Sequence, residues 1–406
     1  MLSEKSASVV RETLPVVGAA IGEITPIFYD RMFHAHPELI KNLFNRGNQA
    51  QGDQPQALAG SIAAYATMLV SDTNHGADEI LDRVANKHAA LGVVGEQYPI
   101  VHEHLFAAIV QVLGDAVTED VAAAWDELYW HMADDLISRE AALYASLGVA
   151  EGDVWRRMRI SERGQESPDT VSFLFEPTDG WALPHPKGGQ YVSVQVPLPD
   201  GAHQIRQYSL TRAPKWEAWG ISVKAIPATT DDNGNRVPEG EVSNFLHRNY
   251  FEGDELNVSL PFGDLVINEG DDPIVLISAG IGCTPVIGIL HYLAHTDVDR
   301  EVTVLHADRS PARQAHRREL VDLVARLPGA TLHHWYEDLG IRQSSETTSE
   351  GRMKLQNAHV TPNAQAYLCG PMPFMDSVRT TLIEQGVPAG NIHYEVFGPD
   401  KWLPNA

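Results

Sequence analysis

The chain has 406 residues, 43% hydrophobic and 21% charged, with a formal net charge of −24. Such a composition builds an ordinary globular protein with a full core, and the length suggests roughly two to three domains. So negative a surface repels nucleic acid and anionic membrane, which excludes both as partners. The cysteines, Cys283 and Cys369, lie far apart and make no disulfide scaffold, so a reducing cytoplasm is expected. The opening MLSEKSASVVRETLP is polar and unlike a signal peptide, and no apolar run is long enough to span a bilayer.

Residues 1 to about 148 read as helix, interrupted at Pro37, GNQAQGDQP (47–55), NHG (74–76), LGVVGEQYP and LGDAVTED, and this predicts an all-α first domain over 1–148. After Gly148 the character changes. SPDTVSFLFEP, GGQYVSVQVPLP, IRQYSLT, WGISVKAIP and DELNVSL are short runs of period-two alternation between Gly and Pro turns, predicting an antiparallel β-barrel over 152–266. The loop TTDDNGNRVPEG is longer than its turn needs. From 270 to 406 strands and helices alternate (PIVLISAG, TPVIGILHYLA, EVTVLHA, RQAHRRELVDLVARL, ATLHHWYE, AQAYLCGP), which predicts a doubly wound α/β domain.

Several polar residues of the helical part fall on apolar stripes. His88 follows Ile80 and Val84 and precedes Leu91, so its ring faces inward and needs a partner: a neighbouring side chain or a metal. Glu140 sits on the stripe Val121, Trp125, Leu128, Met132, Leu136, Leu143, Leu147, where a carboxylate is costly unless hydrogen-bonded or paired. Gln54 lies one turn before Leu58, and Tyr29 lies beside Phe28 and Phe33. Each also fits ordinary packing or capping, and pattern alone does not decide. His102 with His104, and His291 with His295, lack metal-site spacing and read as surface or packing residues.

The β part carries a sharper signal. In RQYSL, Arg206 suits a bidentate phosphate clamp, Tyr208 offers a ring for stacking on a planar cofactor, and Ser209 offers a hydroxyl to a ring nitrogen. GQY adds Tyr191, and GEVSNFLH presents Gly240, Val242 and Ser243 near a helix start, where backbone N–H groups suit a pyrophosphate. AGIGCTP follows a buried strand and opens a helix; Gly280 and Gly282 permit close approach of a phosphate, and Pro285 suits a first helical turn. YLCGP places Cys369 and Gly370 at a strand end, where open α/β sheets bind ligands. Phe397 in VFGP is a candidate to cover a flavin face.

The β and α/β parts together resemble the ferredoxin-NADP reductase-like family. With an all-α domain carrying His88 in front, nearly the whole chain resembles the flavohaemoglobins, on FYDRMF, NLFN, NQAQGDQ, NKH, EQYPIVHEHL, SREAALY, RQYSLTR, AGIGCTP, YLCGP and HYEVFGP. The resemblance implies haem b, FAD and NADH or NADPH as cofactors. His88 would be the proximal ligand of the haem iron, with Tyr98 and Glu140 behind it. Tyr29, Gln54 and Leu58 would line the distal pocket, Phe44 would pack on the haem, and Lys87 and Glu395 would lie near the haem–flavin contact. Tyr191, Arg206, Gln207, Tyr208, Ser209 and the tail Val396, Phe397, Gly398 and Pro399 would hold FAD. Gly280, Ile281, Gly282, Cys283, Thr284 and Pro285, with Cys369, Gly370 and Pro371, would hold the nicotinamide nucleotide. Cys283 stands where many relatives carry Gln, and is expected near the nicotinamide phosphates or ring.

The activity implied is a nitric oxide dioxygenase, oxidising NO with O2 to nitrate, in a cytoplasmic monomer with small-molecule partners only. A rival enzyme would chiefly reduce ferric chelates, quinones or lipid hydroperoxides. A gas sensor or store would need no dedicated reductase. For the coenzyme, Asp308 suits a ribose hydroxyl while Arg309 and Arg313 suit a phosphate; the balance leans to NADH.

Overall fold

A computed structural model describes residues 2–70, 77–212, 218–230, 234–296, 300–358 and 360–398. The expected break at NHG and Pro399 both lie outside these residues. The chain forms two compact units: one comprises the chain through Trp155, the segment Gln195–Arg206 and Gly398, the other Arg156–Val194 and Gln207–Phe397.

The first unit is helical, as the periodicity predicts. Its helices are α1 (Glu4–Ala35), α2 (Pro37–Asn42), α3 (Arg46–Ala50), α4 (Asp53–Val70), α5 (Ala77–Ala89), α6 (Tyr98–Leu113) and α7 (Glu119–Ser146). Ser3 caps α1, its hydroxyl accepting from the Ser6 N–H, and Thr118 caps α7 through Val121. Along α1, Val10, Val17, Ile24, Phe28 and Met32 are buried at steps of seven or four, one face of a helix. That face packs on α4, α6 and α7, and α5 packs on α7.

The segment Gln195–Arg206 belongs to this unit and is tied to it by Arg46–Asp200 at 2.6 Å and by Gln204, which is fully buried. Its Nε2 donates to the carbonyls of Ile40, Lys41 and Phe44 at 3.1, 3.0 and 3.3 Å. Its Oε1 accepts from the Arg46 N–H at 3.2 Å. Two of those carbonyls belong to the last turn of α2, which has no intrahelical donor for them.

The second unit begins with β1 (Trp155–Ser167), β2 (Thr170–Pro177), β3 (Tyr191–Pro197), β4 (His203–Ser209) and β5 (Trp219–Lys224). A short hairpin, β6 (Thr229–Thr230) with β7 (Arg236–Val237), fills the long loop, of which residues 231–233 are not described. After α8 (Glu241–Asn249) comes β8 (Glu255–Ser259), and the sheet order is β4-β3-β8-β1-β2-β5. An antiparallel bridge from Leu210 to Ile221 joins its two edges, as a barrel requires. The sequence did not show β1. Only Met158, Ile160 and Ser167 are buried along its 13 residues, and the exposed positions, Arg157, Arg159, Glu162 and Gln165, are all polar.

The rest of the unit is β9 (Ile274–Ala279), α9 (Cys283–Thr296), β10 (Val302–Asp308), α10 (Arg317–Arg326), β11 (Thr331–Tyr336), β12 (Thr348–Glu350), β13 (Gln365–Cys369), α11 (Met372–Glu384) and β14 (Ile392–Glu395). The strands run parallel in the order β12-β11-β10-β9-β13-β14. The order reverses between β9 and β13, so ligands are expected at the carboxyl ends of these two strands.

Candidate functional site

His88 lies in the last turn of α5. Its Nδ1 is 2.8 Å from Oε1 of Glu140 and 3.1 Å from the Tyr98 hydroxyl. Tyr98 donates to the same Oε1 at 2.6 Å. Glu140 is 2% exposed, so a carboxylate on α7 has been withdrawn from water and is satisfied by these two donors. Burial and the Glu140 charge push the Tyr98 hydroxyl far above its ordinary pKa, keeping it a donor. The surrounding loop is held by Tyr129, donating to the Tyr98 carbonyl at 2.7 Å, and by Tyr144, donating to Val93 at 2.6 Å. With Nδ1 engaged, Nε2 has no protein partner among the described residues, although the side chain is only 33% exposed. That arrangement fits an imidazole held ready for a metal.

Tyr29 and Tyr98 lie in one apolar cluster. Tyr29 is 4% exposed and packs against Phe28, Phe33 and Phe44, with ring centroids 4.6, 5.5 and 5.8 Å away. Burial raises its pKa far beyond the ordinary phenol value, against the smaller opposing influence of the Gln54 and Gln49 side chains. Leu58 is partly buried against the same cluster. Gln49 escaped the sequence reading because NQAQGDQ looks like an interruption, whereas Arg46–Ala50 forms a helical turn that brings a second amide to Tyr29.

The flavin-type motif lies on β4, with Ser209 at 3% exposure and Arg206, Gln207 and Tyr208 half-buried. Nη1 of Arg206 donates to the Ile205 carbonyl at 2.7 Å and to Oε1 of Gln204 at 3.3 Å. Tyr191 is buried; a side chain on Gly263 would come within 3.0 Å of its ring. Gly240 caps α8, where a Cβ would meet the Ser243 hydroxyl and Ile226; Val242 is buried and Ser243 half-buried behind it. Phe397 is 50% exposed beyond the end of β14, an unusual position for a large ring, while Val396 and Glu395 are buried. Lys87 donates to the Gly398 carbonyl at 3.2 Å.

The nucleotide-type loops pack on each other where the strand order reverses. Gly280 has φ +55, and a Cβ on Gly282 would overlap the Cys369 carbonyl. A Cβ on Gly370 would meet the Phe374 ring and Ala279. Ile281 is half-buried, Thr284 donates to its carbonyl at 3.0 Å, and Pro285 is buried in the first turn of α9. Pro371 caps α11. Cys283 is fully buried with Sγ directed at the Ala315 carbonyl, 3.8 Å away, and burial pushes its thiol far up. Its side chain, at the first residue of α9, is enclosed in the core. It is therefore a packing residue, not a reactive thiol.

A half-buried hydrogen-bond chain, invisible in the sequence, links α9, α10 and the barrel. Glu319 receives His291 Nε2 on one oxygen and His316 Nδ1 on the other, each at 2.7 Å. Nε2 of His316 meets the Ser222 hydroxyl of β5 at 2.6 Å. His316 takes a left-handed backbone, φ 54, which is strained for a residue with a side chain. Burial alone raises the Glu319 pKa, but the hydrogen bonds from the two histidines outweigh it and hold the carboxyl at about 2. The stabilisation is complete above the ordinary value of 4.5 and declines as pH falls toward 2. Acid unfolding of the wild type followed by tryptophan fluorescence should therefore steepen below pH 4.5, and Glu319→Gln should flatten that limb. Superimposable acid limbs would refute the role.

A helical unit with a buried His–carboxylate–Tyr set, followed in the chain by a flavin-type barrel and a parallel nucleotide sheet, defines a globin fused to an oxidoreductase module. Residues 27–136 match the Globin family and residues 276–380 the oxidoreductase NAD-binding domain family. The chain is 42% identical over 407 residues to a flavohemoprotein of Chromobacterium violaceum, covering 98% of each, and 39% identical over 414 residues to that of Rhizobium meliloti, covering 98% and 99%. The crystal structure of a flavohemoglobin from Malassezia yamatoensis with bound FAD and heme superposes with a TM-score of 0.86 at 36% identity, covering 98% of this chain and all of that one. The FAD/NAD-binding domain of a nitric oxide dioxygenase from Vibrio cholerae superposes with a TM-score of 0.53 at 36% identity, over 60% of this chain and 99% of its own. The chain belongs to the flavohemoprotein family, and is an oxidoreductase. No described helix is long and apolar enough to cross a membrane.

Proposed function

We propose that this chain is an NAD(P)H-dependent nitric oxide dioxygenase, a cytoplasmic monomer built of a haem domain over 1–148, an FAD domain over 152–266 and a nucleotide domain over 270–406. The observation that carries the reading is the His88–Glu140–Tyr98 hydrogen-bond set, behind an imidazole whose Nε2 has no protein partner among the described residues. His88 would hold haem b; Tyr191, the strand from Arg206 to Ser209 and the helix start at Gly240, Val242 and Ser243 would hold FAD, with Phe397 covering its ring. The loops 280–285 and 369–371 would hold the nicotinamide nucleotide. Haem supplies an iron that binds diatomic gases and takes single electrons, and FAD splits the electron pair of a hydride into single electrons.

The chain's own residues do the rest. Glu140 holds Nδ1 of His88 by a hydrogen bond and fixes the ring plane, which would leave Nε2 to hold the iron and would raise its electron donation. Tyr29, kept protonated by burial, would offer its O–H to the gas, with the Gln54 and Gln49 side chains beside it. The apolar wall of Phe28, Phe44 and Leu58 excludes water. In sum, two NO and two O2 are converted to two nitrates for each NAD(P)H oxidised, with release of one proton.

The test is steady-state consumption of NO by the purified holoprotein, compared with reduction of ferric chelates, quinones and lipid hydroperoxides. NO is expected to be the fastest acceptor; fast turnover of the others with slow NO consumption would refute the proposal. Tyr29→Phe removes a charge-assisted hydrogen bond, so release of O2 from the reduced protein should accelerate roughly 10- to 100-fold. An unchanged off-rate in stopped-flow displacement would remove Tyr29 from the mechanism.

A further inference from the structure

The end of β10 carries an acid and, close after it, two arginines whose exposure is the opposite of the acid's. Asp308 is the acid placed to bind a ribose diol, but its carboxylate is turned inward: the side chain is 5% exposed and lies 3.8 Å from Nε2 of buried His306. It also accepts from the Arg309 N–H at 2.6 Å. His306, itself anchored to Ser278 at 2.9 Å, and Lys224 hold the Asp308 carboxyl below its ordinary value despite burial. Arg309 and Arg313 do the opposite. Their side chains are 54% and 46% exposed, and both direct a guanidinium nitrogen to the same atom, Oδ2 of Asp169, at 3.5 Å. Asp169 sits on the turn between β1 and β2, its other oxygen accepting from Ser167 at 2.9 Å and Thr170 at 3.4 Å. Two forks thus converge on one fixed carboxylate oxygen. A pair that long and that exposed binds weakly.

We propose that Arg309 and Arg313 form a 2′-phosphate site at the end of β10, that Asp169 occupies it as an internal anion displaced by the coenzyme, and that this chain therefore prefers NADPH to NADH. The inference rests on the reading of the chain as a nicotinamide-dependent reductase, and it reverses the lean to NADH drawn from Asp308 in the sequence. A phosphate monoester carries nearly two negative charges and three acceptor oxygens, which two guanidinium forks match better than a single carboxylate does. A ribose diol offers these forks no negative charge, and the acid that would receive it is sequestered.

Two measurements on the holoprotein decide the matter. Calorimetric titration with 2′,5′-ADP and with 5′-ADP should show the 2′-phosphorylated ligand binding at least about tenfold more tightly. In Arg309→Ala/Arg313→Ala the ratio of kcat/KM for NADPH to that for NADH should fall by about tenfold or more. Asp169→Asn, which removes the competing anion, should tighten 2′,5′-ADP further. Equal binding of the two nucleotides, with NADH bleaching the flavin faster than NADPH, overturns the inference and leaves the reductase reading standing. Bleaching by neither coenzyme overturns both.

Discussion

A His88→Ala protein is expected to fold and to carry flavin, yet to hold no haem. Nothing else in the helical unit offers a nitrogen backed by a buried carboxylate: among the described residues no group of three or more His, Cys, Asp or Glu side chains converges on a metal position. The graded version is more telling. In Glu140→Leu the imidazole stays, but its Nδ1 and the Tyr98 hydroxyl lose their common acceptor. Each buried group left unsatisfied costs about 1–3 kcal/mol, and loss of such a backing partner typically weakens metal binding about 10- to 100-fold. Haem content by absorbance, and haem transfer to an acceptor globin, would measure both variants. Exogenous imidazole should restore a Soret band to His88→Gly. A His88→Ala protein with full haem and an unchanged spectrum would end the assignment.

The second large effect concerns the flavin barrel. Gly189 has φ +101, and a Cβ there would run into the Leu265 carbonyl. Gly189→Ala therefore combines a left-handed strain with a collision against backbone, which has no rotamer to yield. A loss of roughly 3 kcal/mol or more is expected. Gly253 provides the control: its φ is +93 but nothing lies within 4 Å of its Cβ position, so Gly253→Ala should cost only about 1 kcal/mol. Scanning calorimetry and flavin release on heating would compare them, and equal melting temperatures for the two variants would contradict the collision.

The class of fold was legible because two periods are. Helical spacing put His88 and Glu140 on apolar stripes, and strand alternation marked β2, β3, β4, β5 and β8. Glu140 was legible as an anomaly, a charge where the pattern demands an apolar residue, and the hydrogen bonds to His88 and Tyr98 resolve it. What escaped depends on groups that periodicity does not relate. The direction of Asp308 is set by a buried histidine two residues away and by the next backbone N–H. His316 precedes α10 in a left-handed conformation that no local rule assigns to histidine. Cys283 looked chemical because of its motif, but the turn of α9 points it at the Ala315 carbonyl.

Gln204 has a practical bearing on any attempt to isolate the gas-binding half. Cutting the chain after residue 148, where composition changes, removes the amide that caps Ile40, Lys41 and Phe44 from more than 150 residues away. Phe44 is one of the rings around Tyr29, so the excised fragment would loosen at its ligand pocket rather than at its cut end. A free-standing version calls for a redesigned turn after α2, one that supplies its own donors. Ligand kinetics measured on the bare fragment would otherwise describe a frayed pocket, not the pocket of the intact chain.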